Sequence, residues 1–176
     1  MKTAEIRTLF AYHAWANRRV YEAACTLSEK DYYAEIDYST GSIHRHLFHI
    51  MFVDWSSLMV LTGDYPPQDD PRHLKEEKVR NRAALRRRWD ELEIQLMDFV
   101  SRLTETQLSS PVRLIHTEDM MHGAYLWEML VSLVNHGTNH RAQVLAMMYH
   151  LGHKVDVEQG LYFYLVERAV KARKAR

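Results

Sequence analysis

Apolar residues recur through most of this chain at steps of three and four, the spacing that lines one face of an α-helix. The clearest run is Leu85, Trp89, Leu92, Leu96, Phe99 and Leu103, set in a charged background. It predicts a third helix whose stripe is core or interface packing. Ahead of it, Ile6, Leu9, Phe10, His13, Asn17, Val20, Tyr21 and Ala24 share a face of a first helix from about Thr3 to Cys25, a face with two polar members. A second helix is expected from Ser42 to about Thr62, with Ile43, Leu47, Ile50, Asp54, Leu58 and Leu61 as its stripe. Gly63 and then Pro66-Pro67 end it. The fourth and longest helix is expected from about Ala124 to Leu151, ending at Gly152. It keeps the register of Leu126, Leu130, Leu133, Val134, Gly137, Val144, Leu145, Met148 and Leu151.

Between these helices the pattern breaks. Ser28 and Asp31 suggest a brief capped turn before an irregular, partly extended Tyr32 to Thr40. Gly63 to Pro71 is dense in Pro, Asp and Gly and reads as a crossover loop. Thr104 to Gln107 looks like a short turn, and Pro111 to Gly123 a non-helical connection with room for a small hairpin, carrying His116 and His122 on the surface. Asp156 and Gln159 form a capping-box pattern for a last helix through Leu161, Tyr162, Leu165, Arg168 and Ala169. The expected fold is all-α: a four-helix bundle with long crossover connections plus a short C-terminal helix, as one domain over residues 1–176.

Composition narrows the function classes. Lys plus Arg equals Asp plus Glu, at 23 each, so no overall basic field is available to hold nucleic acid or anionic lipid. The basic run from Lys171 to Arg176 reads as a solvated helix end that complements the dipole, and Arg86-Arg87-Arg88 as solvated surface. Cys25, the one cysteine, has no intrachain partner, and no signal-peptide pattern is present, so a cytoplasmic location is expected. No apolar run reaches the ~20 residues that span a membrane.

The chemistry concentrates in Asn135-His136-Gly137-Thr138-Asn139-His140-Arg141-Ala142-Gln143. Residues at i and i+4 lie one above the other on a helix, so His136 and His140 suit a shared ion. Spacing alone is weak, since 11 histidines in 176 residues give roughly one such pair by chance. Position strengthens it: His140 falls on the apolar stripe and His136 at its edge, so both turn inward, where an unpaired polar group is costly. A catalytic site for a transition metal typically takes three protein ligands. His49, mid-way along the second helix on its inner side, is the leading third candidate. His46 is an alternative one turn earlier, and His13 could support the ligands from behind.

Tyr12-His13-Ala14-Trp15-Ala16-Asn17 looks like a first-helix signature; Ser42-Ile43, Leu47, His49-Ile50 and Trp55 look like a second-helix segment. Asn135-His136 with His140-Arg141-Ala142-Gln143 looks like a fourth-helix motif. Together, and in this order, they resemble the DinB/YfiT-like family. The resemblance implies a divalent metal, zinc or nickel, held by one histidine of the second helix and two of the fourth, hence His49, His136 and His140. The chain departs from the motif at Asn139, where a further histidine is usual, and at Ala142, where glycine is usual. Asn135, Arg141 and Gln143 then read as groups that support the ligands or pack the helix.

Three neutral imidazoles leave an ion its full double charge, so it can lower the pKa of a bound water, to about 7 in favourable cases, or activate a thiolate. The resemblance implies a thiol-dependent S-transferase, because relatives use low-molecular-weight thiols such as bacillithiol or mycothiol. A small-molecule substrate and a homodimer are expected with it, the dimer formed through the third-helix stripe and exposed aromatics such as Trp89. One alternative is a metal with a structural or ligand-binding role and no catalysis. A metal-dependent hydrolase is another, which would require a carboxylate base near the ion. Asp54, the one interior carboxylate, lies more than a helical turn beyond His49 and reads better as a buried hydrogen-bonding partner. Cys25 has no activating neighbour in sequence, and no catalytic residue is assigned.

Overall fold

Helix ends fall where side chains can serve the unpaired backbone groups of a terminal turn. The computed structural model describes residues 1–112 and 124–175. Its elements are α1 (Thr3–Ala24), α2 (Glu29–Tyr32), α3 (Ile43–Thr62), a 3-10 turn (Glu76–Val79), α4 (Arg82–Arg102), α5 (Glu105–Leu108), α6 (Leu126–His150) and α7 (Leu161–Lys174). Ser42 starts α3 by accepting a hydrogen bond from the Arg45 backbone N–H at 3.2 Å. Gly63 ends it in a left-handed conformation at φ 78°, which lets Asp64 N–H reach back to the Met59 carbonyl at 2.8 Å. Ser28 caps α2, Asn81 caps α4, and Thr104 with Gln107 makes a capping box at α5.

The described residues are helical apart from turns, loops and one isolated antiparallel bridge between Pro111 and Tyr125, so the chain is all-α. The expected hairpin, with His116 and His122, lies in 113–123, outside the described residues. Each of the four long helices packs against two others: α1 and α3 both lie against α4 and α6. α7 lies on α1, where the Trp15 indole N–H donates to Glu167 at 3.0 Å.

The stripes become one core. Ile6, Phe10, Val20, Leu47, Ile50, Trp55, Leu85, Leu92, Val144 and Met148 are all buried in it. Trp89 is fully buried at 0% exposure, which corrects its reading as an exposed aromatic: with Leu85, Leu92, Leu96 and Leu103 it lies in the core. Arg86 also departs from expectation. It sits one helical turn from Trp89, and its guanidinium lies 5.3 Å from that ring while pairing with Glu93 at 2.8 Å, both side chains only 12% exposed. Burial pushes the Glu93 carboxyl up, against the pull of Arg86.

The capping box expected at Asp156 and Gln159 is not used. α7 starts later, with Gly160 as its N-cap, because the Gln159 amide oxygen instead accepts from buried Arg141 at 2.9 Å. No helix among the described residues is long and apolar enough to cross a membrane.

Candidate metal centre

α3 and α6 pack against each other, and their facing surfaces bring together histidines that are 87 residues apart in sequence. His136 and His140, one turn apart on α6, have ring centroids 4.3 Å apart. His49 on α3 faces them, with centroids 4.5 Å from His140 and 5.1 Å from His136. One ligand atom from each of the three lies within 4.8 Å of the others. His49 Nε2 and His136 Nε2 are 3.1 Å apart. Two metal–nitrogen bonds of about 2.0–2.1 Å separate their nitrogens by about 2.9 Å at a right angle and about 3.4 Å at the tetrahedral angle. The observed spacing lies between those limits.

The electrostatics suit the same use. Metal ligation requires the neutral imidazole. Burial, reinforced by crowding from His140 and His49, holds the protonation of His136 down from 6.5 to about 4. Burial likewise lowers His49 and His140. All three residues are half-buried. Among the described residues no Asp, Glu or Cys joins the three.

His46, the alternative third candidate, is not in the cluster. Its ring is fully buried, 5.8 Å from that of His140 and stacked on Tyr38. Its Nδ1 contacts the Thr40 hydroxyl and, at 3.3 Å, the Ser42 carbonyl. Position explains the choice, since His49 is three residues further along α3.

Behind the cluster lies a second polar group. Arg141, at 0% exposure, donates through Nη1 to Asn17 Oδ1 at 2.7 Å and to His13 Nδ1 at 3.2 Å. Through Nη2 it donates to Thr138 at 2.8 Å and to the Tyr12 hydroxyl at 3.2 Å. A guanidinium can only donate, so His13 Nδ1 accepts and its Nε2–H donates to Asp54, 3.1 Å from both carboxylate oxygens. His13 therefore turns inward as expected, with both nitrogens used within this network. Asp54 has the hydrogen-bonding role expected of it.

Gly137 makes this arrangement possible. A Cβ there would stand 2.8 Å from His13 Nδ1 and from Arg141 Nη1, so only glycine admits the His13 ring against α6. Asn135, read from sequence as a supporting group, is exposed. The depth of Arg141 was missed, although a signal exists: a mid-helix glycine costs roughly 1 kcal/mol against alanine, so its presence beside His136 implies close packing.

The model of the DinB family matches residues 1–167 of this chain. The protein is also similar to Protein DinB of Bacillus subtilis (strain 168), at 26% identity over 170 residues, covering 90% of this chain and 94% of that protein.

Proposed function

The chain belongs to the DinB family, and we propose that it is a metal-dependent enzyme that transfers a group to a low-molecular-weight thiol at His49, His136 and His140. The observation that carries this reading is the cluster itself: three half-buried histidines, their ligand atoms within 4.8 Å, joined by no carboxylate among the described residues. A divalent ion, zinc or nickel, held by three neutral imidazoles keeps its full double charge and lowers the pKa of a thiol bound beside it. In the transfer, a sulfur–carbon bond forms and the electrophile's leaving group departs with its electron pair. The thiol proton passes to solvent. The three histidines hold and orient, and the half-buried rings leave an approach for thiol and electrophile.

Hydrolysis is the weaker reading, because Asp54, the buried carboxylate of the described residues, is 1% exposed and already accepts from His13 through both oxygens. A purely structural metal would favour a closed set of four protein ligands, and the described residues supply three.

The test has two stages. Purified protein is expected to bind one zinc, nickel or cobalt ion per chain by elemental analysis, and His49→Ala, His136→Ala and His140→Ala to lose it. If the wild type neither carries nor takes up such an ion, the site reading fails. With cobalt loaded, a small thiol such as 2-mercaptoethanol is expected to produce a sulfur-to-metal absorption band. Metal binding with no response to thiols leaves the non-catalytic role and rejects the transferase.

A further inference from the structure

Besides His136 Nδ1, three buried polar atoms at the cluster have no hydrogen-bond partner among the described residues: His140 Nδ1, Gln143 Oε1 and His46 Nε2. They are neighbours. Gln143 lies three residues after His140, on the same face of α6, and the His46 and His140 ring centroids are 5.8 Å apart. Unpartnered buried polar atoms are uncommon, and three at one place call for a shared explanation.

Donor and acceptor roles supply it. The Ser42 carbonyl, 3.3 Å from His46 Nδ1, can only accept, and the Thr40 hydroxyl on the same nitrogen can accept too, so a proton on Nδ1 serves both and His46 Nε2 is left as a bare acceptor. An amide has one end that donates and one that accepts. If Gln143 gives its N–H to His46 Nε2, its Oε1 is free to accept from His140 Nδ1–H. That in turn leaves His140 Nε2 with a lone pair directed at the cluster. Every link then runs in one direction, from His140 to the Ser42 carbonyl at the start of α3. Reversing the amide would set its N–H against His140 Nδ1–H, and its carbonyl against the lone pair of His46.

We propose that Gln143 is a positioning residue for the metal centre: it bridges His140 Nδ1–H to His46 Nε2, and so holds His140 in the tautomer that ligates through Nε2. The inference rests on the three-histidine reading. It assigns His46, excluded from the cluster by position, a role as the anchor of the bridge. Metal-binding histidines generally donate their second ring N–H to such a partner, and its loss typically weakens metal binding by about 10–100-fold.

The experiment measures zinc affinity by competition with a chromophoric chelator, alongside nitrogen-15 NMR of the histidine rings. Gln143→Leu is expected to keep one zinc per chain but to bind it about 10–100-fold more weakly. Gln143→Glu, which retains an acceptor for His140 Nδ1–H, is expected to recover most of that loss. His46→Leu is expected to weaken binding less than Gln143→Leu does. In the wild type, NMR is expected to show His46 and zinc-bound His140 both protonated at Nδ1. Wild-type affinity in Gln143→Leu, an equal loss in Gln143→Leu and Gln143→Glu, or an Nε2-protonated His46 would each overturn the proposal while leaving the three-histidine site standing. Failure of the wild type to bind zinc would instead sink both. The NMR assignment needs no variant, so it decides the matter even if Gln143→Leu does not fold.

Discussion

Two histidine-centred polar groups lie against α3 and α6 and differ in how far their hydrogen-bonding capacity is used. Around Arg141, both nitrogens of His13 have partners, Asp54 accepts through both oxygens, and the guanidinium reaches Asn17, Tyr12, Thr138 and Gln159, so that among the described residues Asn17 Nδ2 is the one buried side-chain atom of the group left without a partner. Around His49, His136 and His140, the nitrogens face one another, and the Nδ1 atoms of His136 and His140 are buried without partners among the described residues. Both groups are polar chemistry inside a helical core, where each unmet donor or acceptor costs about 1–3 kcal/mol. The satisfied group ties α1, α3 and α6 together. The unsatisfied one is a place for something to bind.

The comparison breaks most readily at Arg141. Arg141→Leu removes the donor to His13 Nδ1, the ring that holds Asp54, and strands the acceptors on Asn17, Tyr12 and Gln159. Losing one partner of a buried charged network costs about 3–5 kcal/mol, so the urea midpoint is expected to fall accordingly, with or without metal. A midpoint within experimental error of wild type would mean that the network does not hold the helices. Next in size is Gly137→Ala. Its methyl meets His13 Nδ1 and Arg141 Nη1 at 2.8 Å, too close for either rigid group to remain in place. Overpacking of this kind costs about 1–3 kcal/mol, again read from denaturation.

The satisfied group was also the harder to read in the sequence. His49, His136 and His140 could be picked out because helical spacing alone places i and i+4 on one face, and the Ser42 and Gly63 end signals set the register of α3. Arg141 offers no such local cue: its partners come from α1, α6 and the segment before α7, and an arginine on a helix is ordinarily surface. The same limit explains Trp89 and Arg86. A stripe shows which residues share a face, whereas whether that face meets core or solvent depends on elements distant in the chain. Arg86 lies off the stripe, yet its long side chain reaches back across Trp89 to Glu93.

The contrast predicts a pH dependence of the metal-free protein. His136 protonates near 4 when folded and near 6.5 when its environment is lost. Between those values the unfolded chain binds more protons than the folded one, so stability rises with pH there. The protein is therefore expected to be fully stable above about pH 6.5, to weaken as pH falls toward 4 and to level off below, as far as this group is concerned. Because water reaches these half-buried rings, the change is expected to be on the order of 1–2 kcal/mol. Urea titrations across the range measure it. His136→Gln is expected to flatten the slope, and an unchanged slope would assign it to other groups.

The smallest effect on stability is the most informative about function. Among the described residues His49 Nε2 has only His136 Nε2 at 3.1 Å, an imidazole-to-imidazole contact in which a single proton serves two nitrogens. Exchanging His49 for leucine removes a polar group with little to lose and adds apolar contact beside Ile50 and Phe52. The metal-free variant is therefore expected to stay within about 1 kcal/mol of wild type, in either direction. With zinc at about a thousand times its dissociation constant, the wild type gains about 4 kcal/mol, because the ion binds the folded state. His49→Leu is expected to gain little of this. A residue maintained for packing would give the opposite pattern, a loss without metal and no change in the response to it. Thermal denaturation of both proteins with zinc and with chelator separates the two, since only a ligand makes the difference between variants appear when metal is added.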